Sequence, residues 1–221
     1  MIGRMLQMFV ANRMTKNPLT VSPDTGVDMA ALLMKRHRFR RLPVVDDGQL
    51  VGFISDKDIM KVSPSPATTL SRYEVTTLLA DMKVSEIMAK HVISVKDDAT
   101  IEEAALLMYQ NKIGGLPVVS SVGTVVGVIT ETDIFKTLVD VMGLPEGKTR
   151  ITIEVDDRIG VVRDIADTFG EKGLSIDSLV TCKQPDGKYE IVVRGDIGNP
   201  DEIIGEITAK GYKVIDVTKI G

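Results

Sequence analysis

Residues 40–59 read RRLPVVDDGQLVGFISDKDI, and residues 114–134 read GGLPVVSSVGTVVGVITETDI, a second version of the same stretch. In each, an apolar run leads through a polar turn into a second apolar run. A hydroxyl residue then stands three places ahead of an acid: Ser55 before Asp58, Thr130 before Asp133. The paired runs predict a buried hairpin. The S/T-x-x-D ending predicts a helix start, where a hydroxyl and a carboxylate satisfy backbone N–H groups that have no partner inside the helix. That acid at the head of a helix is the chemistry to explain.

The repetition extends outward. Met14 and Met88, Val21 and Val95, Ala31 and Ala105, and Pro43 and Pro117 are each 74 residues apart, and one inserted residue in the second turn makes the offset 75 from Gly52 and Gly127 onward. Ahead of each hairpin, Val27, Ala30, Ala31 and Met34, and likewise Ile101, Ala104, Ala105 and Met108, follow the i, i+3, i+4, i+7 rule of an amphipathic helix. Gly26 stands at the first cap, and Thr100 with Glu103 forms a capping box at the second. Each copy is a β-α-β-β-α unit of about 60 residues, too small to bury both faces of its sheet alone, so the two are expected to pack as a pseudo-two-fold pair.

The expected organisation is a first module over 8–62, a linker over 63–81, a second module over 82–142, a hinge over 143–147 and a tail over 148–221. The linker is rich in Ser, Pro and Thr, with one or two helical turns expected over 73–82. In the tail, ITIEV alternates like a strand. A helix follows over 161–172 with Val162, Ile165 and Phe169 inward, then a strand over 175–181, followed directly by Cys182, which is read as partly buried. The strand YEIVVRG comes next, then a helix opened by Asn199-Pro200, and a last strand YKVIDVT. The whole is an α/β (α+β) chain in which a ferredoxin-like βαββαβ domain follows the paired modules.

Composition narrows the function. Among 221 residues, 27 basic and 31 acidic side chains leave a net charge of −4, which argues against a nucleic-acid surface. The basic run from Lys35 to Arg41 lies at a helix end, where cations meet the dipole favourably, and only Arg40 and Arg41 are singled out from it. No apolar run approaches the roughly 18 residues that cross a bilayer, and the charges in MIGRMLQMFVANRM are too close for a secretory leader, so a cytoplasmic location is expected. One cysteine and two histidines supply no metal-ligand set. No Walker A pattern, GxGxxG opening, HExxH motif or nucleophile elbow is present, which argues against an enzyme.

The repeated LPVV, hairpin and S/T-x-x-D unit resembles a pair of cystathionine-β-synthase-type (CBS) domains, and DDRIGVVRDIADTFGEKGLSIDSL resembles an ACT domain. In that order the chain is similar to the CBS–ACT family called acetoin-utilisation protein B. The CBS resemblance implies adenosyl ligands (AMP, ADP, ATP or a relative) held between the copies, with no catalytic cofactor. A carboxylate accepts the two adjacent hydroxyls of a ribose, so Asp58 and Asp133 are the candidate ribose acceptors, with Ser55 and Thr130 supplying hydroxyls. By resemblance, Thr130 and Asp133 face Asn17, Leu19, Phe39, Arg40 and Arg41. Ser55 and Asp58 face His91, Ile93, Ile113, Gly114 and Gly115. Arg40 and Arg41 offer guanidinium forks where Gly114 and Gly115 offer only backbone, so the Asp133 cleft is expected to favour phosphorylated nucleotides and the Asp58 cleft to take an uncharged adenosyl group or stay empty.

The ACT resemblance implies an amino acid held near the start of the first tail helix, at a dimer contact, by Asp157, Arg158, Ile159, Gly160, Ile176 and Asp177. Ser175-Ile176-Asp177 stands where many ACT members carry an asparagine, and a dimerisation module with an empty loop is an equal reading. The expectation is a non-enzymatic, homodimeric regulatory protein acting on an unidentified client. The alternatives are a nucleotide-dependent transcription regulator and a purely structural oligomerisation module, since S/T-x-x-D also caps helices in proteins that bind nothing.

Overall fold

In the computed structural model, which describes residues 8–64, 69, 71–144 and 148–219, Asp47 and Gly48 both take left-handed backbone, φ 44° and 79°. Two positive φ values in succession are what a tight two-residue hairpin needs to match the twist of its strands. The turn joins β2 (Arg41–Asp46) to β3 (Gln49–Ser55), with Arg41 opposite Ser55. The second hairpin, β5 (Gly115–Val119) and β6 (Val125–Thr130), repeats the register with Gly115 opposite Thr130 and carries its extra residue in the turn. The chain divides into two compact units, Met1–Phe135 and Lys136–Gly221. The expected leader test at 1–7, the linker residues 65–68 and 70, and residues 145–147 of the hinge lie outside the described residues.

Within the first unit, helix α2 (Val27–His37) packs Val27, Ala30 and Met34 on the first hairpin, and α6 (Ile101–Asn111) packs Ile101, Ala104 and Met108 on the second. Ala31 is only partly buried. A helix follows each hairpin, α3 (Asp56–Val62) and α7 (Glu131–Val141). Between the copies, α4 (Arg72–Asp81) has ten residues, close to three turns and longer than the one or two expected. A reciprocal Ser71–Glu74 capping box starts it, with N–H to carboxylate at 2.7 Å.

The leading segments of the two copies are exchanged. Strand β1 (Thr15–Lys16), from the start of the first copy, pairs antiparallel with β6 of the second, and Ala89, from the start of the second, bridges antiparallel to Phe53 of the first. The helical turns just before them follow the same path. Val10 of α1 (Val10–Arg13) is fully buried in the second copy's core, while Val84 of α5 (Val84–Ile87) is fully buried in the first copy's. Val21 bridges parallel to Val44, and β4 (Val95–Lys96) runs parallel to β5, so each hairpin also keeps a strand of its own copy.

The tail is the expected βαββαβ. Strands β7 (Thr149–Val155), β8 (Ser178–Lys183), β9 (Tyr189–Gly195) and β10 (Lys213–Lys219) lie in the order β10-β7-β9-β8 with every neighbour antiparallel. Helices α8 (Val161–Glu171) and α9 (Pro200–Ala209) pack on one face over Ile151, Ile153, Ile191 and Val193. Three expectations shift. The buried face of α8 is Val161, Ile165, Thr168 and Phe169, and Val162 is 46% exposed, because a helix starting at Gly160 turns its first residue inward. Gly173, at φ 67°, lets Leu174 N–H reach the Phe169 carbonyl (2.9 Å), closing α8 with a chain reversal that delays β8 to Ser178. Cys182 is exposed, since it falls near the outer end of an edge strand.

Gly127 and Gly52 are where the exchange is tightest: a Cβ on Gly127 would collide with the Met14 sulfur and lie 3.1 Å from the Thr15 carbonyl oxygen, and one on Gly52 would collide with Met88. An unconstrained glycine in a strand gains about 0.5–1 kcal/mol on change to alanine. Gly127→Ala is expected instead to lose about 1–3 kcal/mol, the usual effect of overpacking, in urea unfolding followed by circular dichroism. The loss should shrink when Met14→Ala is present in the same chain.

Candidate functional site

Ser55 ends β3 in extended backbone and caps α3. Its N–H and hydroxyl both donate to Asp58 Oδ2, at 3.0 and 2.6 Å, and the Asp58 N–H donates back to the hydroxyl at 3.4 Å. Lys61 Nζ donates to Asp58 Oδ1 at 2.9 Å. Burial pushes the Asp58 carboxyl up, but the Ser55 hydroxyl, the Lys61 ammonium and the Ser55 N–H together outweigh it and hold the group below the ordinary carboxylate range. Thr130 repeats the arrangement, with its N–H and hydroxyl both 2.8 Å from Asp133 Oδ2. Both acids are therefore helix caps. A carboxylate has about four lone-pair directions, so capping leaves acceptor capacity.

The exchange of leading segments puts each acid in a cleft shared by the two copies. Thr130 and Asp133 line a cavity of about 200 Å3 with Leu19, Phe39, Arg40 and Arg41 of the first copy. Asn17, also expected there, is not among its lining residues; its backbone, at φ 49°, donates to the Val126 carbonyl at 3.1 Å. Ser55 and Asp58 line a second cavity, of about 310 Å3, together with His91, Ile93, Ile113, Gly114 and Gly115.

Two features were not foreseen. Arg38 and Lys112, equivalent in the repeat, both stand in left-handed backbone (φ 57° and 53°) at the ends of α2 and α6, and each lines one cleft. Their signal was a basic residue four places after Met34 and Met108, where a helix end commonly takes glycine. The second feature is the charge of the Asp58 cleft. Beside the bare backbone of Gly114 and Gly115 it is lined by the cations Lys57, Lys61, Lys112 and Arg41, which the expected preference for an uncharged ligand did not include. Gly114 and Gly115 withdraw side chains from the wall, and Arg41 of the other copy fills the space they leave.

In the tail, the register separates the residues expected to hold an amino acid. Val155 pairs with Tyr189 and Tyr189 with Lys183, whereas Arg150 pairs with Arg194 and Arg194 with Ser178. Residues 157–160 therefore follow one end of the sheet, and Ile176 and Asp177 precede the other, where Asp177 meets Lys148 at 3.4 Å. Along seven-residue β7 that is about 20 Å, so one chain does not assemble the set. Ile159 is fully exposed and Gly160 caps α8 at φ 98°. Arg158 donates to the Tyr212 hydroxyl (2.6 Å), and that hydroxyl donates to Asp164 (2.7 Å). The Tyr212 hydrogen bond, then the Arg163 and Arg158 charges, hold the Asp164 carboxyl down against the effect of burial.

Among the described residues no helix is long and apolar enough to cross a membrane, and no group of three or more His, Cys, Asp or Glu side chains is placed to hold a metal ion. The fold and clefts define a tandem α/β module pair with two related ligand-sized crevices and a ferredoxin-like tail. The chain belongs to the CBS domain family, whose model matches residues 10–65 and 84–140, and an ACT domain model matches residues 149–211. A CBS domain-containing protein of Dictyostelium discoideum is 33% identical over 138 residues, 62% of this chain and 95% of that protein. CBSX2, a CBS-pair protein of Arabidopsis thaliana solved in complex with AMP, shares 29% identity at a TM-score of 0.50, covering 60% of this chain and 97% of the other. A Vibrio cholerae structure assigned to the acetoin utilization protein AcuB shares 29% identity at a TM-score of 0.51, covering 63% and 96%.

The depressed Asp58 carboxyl sets a pH signature. Its folded value lies below the ordinary 3.8, so its stabilising effect is complete above that value and is lost as pH falls through the folded value. Urea midpoints of the wild type and Asp58→Asn, compared from pH 7 downward, should differ by a constant amount to about pH 4 and converge below it.

Proposed function

We propose that this is a non-enzymatic regulatory protein that binds adenine nucleotides or other adenosyl ligands in the two clefts and passes their occupancy to a client protein. The observation that carries the reading is the position of Asp58 and Asp133. Each is a capped carboxylate at a helix head, in a crevice whose opposite wall comes from the other copy. A ribose hydroxyl fits the acceptor direction that capping leaves on such a group, and its neighbour can take the Asp58 Oδ1 direction that the exposed Lys61 ammonium now occupies. Leu19, Phe39 and Val128 in one cleft, and Ile93, Ile113 and Phe53 in the other, supply apolar wall for an adenine ring, and cations stand beside both. The AMP complex of CBSX2, similar over the CBS part, supports the same class of ligand.

The tail is read as the dimerisation element, with an amino acid or similar small molecule as its ligand. An antiparallel meeting of two β8 edges would extend the sheet across a two-fold axis. It would also carry Ile176 and Asp177 of one copy toward residues 157–160 of the other, which gives the separated halves of the expected site a reason to exist. We place the protein in the cytoplasm, where adenine nucleotides are abundant.

Thermal melting with AMP, ADP, ATP and S-adenosylmethionine tests the reading. At 100-fold over its dissociation constant, one ligand adds about 2.7 kcal/mol of stability, a clear rise in melting temperature. Asp133→Ala and Asp58→Ala should each abolish binding at its own cleft in calorimetry and leave the other cleft able to bind, and the double variant should bind nothing. No shift with any of the four compounds would rule the reading out.

A further inference from the structure

The repeat places Arg41 and Gly115 at equivalent positions. Arg41 opens β2 opposite Ser55, and Gly115 opens β5 opposite Thr130. Other equivalent positions serve one cleft each, Arg38 in one and Lys112 in the other, but Arg41 lines both. Its side chain runs along the second copy's Gly114–Gly115 backbone. A Cβ on Gly114 would lie 2.5 Å from Arg41 Nη2, and one on Gly115 would lie 3.2 Å from Arg41 Cδ and 3.4 Å from Nε. The stem and head of the arginine therefore occupy the room that side chains at 114 and 115 would need. An arginine at 115 would put a second stem in the same space and a second positive charge beside the first. The pair of modules admits one guanidinium at this point and keeps two glycines to admit it.

From this we infer that the two clefts compete for Arg41, so that a phosphate-bearing ligand in one weakens binding of a phosphate-bearing ligand in the other. The inference rests on the nucleotide reading above and adds its regulation. No hydrogen bond or ion pair to the Arg41 side chain is found among the described residues, and the residue is only partly buried, so its fork is available to turn to either side. The Glu131 carboxylate lies over the same glycine, 2.7 Å from the Gly114 Cβ position, and offers a counter-charge when neither cleft holds an anion. A phosphate that takes the fork in two parallel hydrogen bonds removes it from the other cleft, and its own negative charge then faces the second phosphate. An uncharged adenosine makes no demand on Arg41 and leaves the neighbouring cleft unchanged. Such a chain responds to the charge of its ligand as well as to its concentration.

Calorimetric titration of the full chain with AMP and with adenosine separates the outcomes. The Asp133→Ala variant reports the Asp58 cleft with its neighbour empty, and Asp58→Ala reports the converse. In the wild type, the second AMP should bind about tenfold or more weaker than the same cleft does in the single-cleft variant, within the usual range of coupling between sites. Binding of only one AMP by the wild type, while each variant also binds one, is the strong form of the same result. Adenosine should fill both clefts independently. Arg41→Gln should weaken the first AMP yet make the two steps independent, with its unliganded melting curve checking that it folds. Independent AMP steps in the wild type, or equal coupling with adenosine, would overturn the shared arginine while leaving nucleotide binding intact. Failure of AMP and adenosine alike to bind would instead remove the nucleotide reading, and this inference with it.

Discussion

The first unit depends on a contact between methionine and glycine across the repeat. Met14 lies where a side chain on Gly127 would be, and Met88 lies where one on Gly52 would be, so each copy's leading segment is seated in the other's hairpin. The helical turn ahead of each methionine extends the exchange into the cores, Val10 in one and Val84 in the other. Neither hairpin-and-helix set buries its apolar face with residues of its own copy alone, which is the expected difficulty for a unit of about 60 residues. Exchange closes both cores at once and couples the stability of the two modules.

Function follows from that closure. An S/T-x-x-D sequence at a helix start is a local device, and in each copy its hydrogen bonds lie within four residues. By itself it holds a helix end in place. Once the leading segment of the opposite copy forms the facing wall, the same carboxylate stands inside a crevice with apolar and cationic surroundings. In the proposed reading, capping and ligand binding draw on different lone pairs of one group, and the hydrogen bonds that hold Asp58 below its ordinary range also keep it ionised as an acceptor. The two glycines at 114 and 115 show the reverse relation, in which the absence of a side chain in one copy sets the position of an arginine from the other.

The tail follows the same logic at a longer distance. Its alternating strands and closing glycines specify a βαββαβ sheet, but a candidate site drawn from one loop and the start of one strand is split by the register between opposite ends of that sheet. Parallel placement of β7 and β8 within the antiparallel order has this effect on any pair of residues at the end of one and the start of the other. Such residues meet only if a second sheet edge brings them together, so an assembly and a binding site become a single question in this domain.

From its sequence alone, this chain determined everything that rests on local periodicity: the duplicated hairpins, the amphipathic faces through Met34 and Met108, the capping residues Ser55, Thr130 and Asn199, and the βαββαβ order of the tail. These are encoded within a few residues, where backbone geometry permits few alternatives. Resemblance added which walls were expected to face which acids, and all the named cleft residues but Asn17 line the two cavities. The tertiary structure alone decided which turn of α8 faces inward, that Cys182 is exposed, that Ile176 and Asp177 lie far from residues 157–160, and that Arg41 reaches both clefts. Each of these is set by where a distant segment packs, and no window of sequence contains the neighbour that decides it.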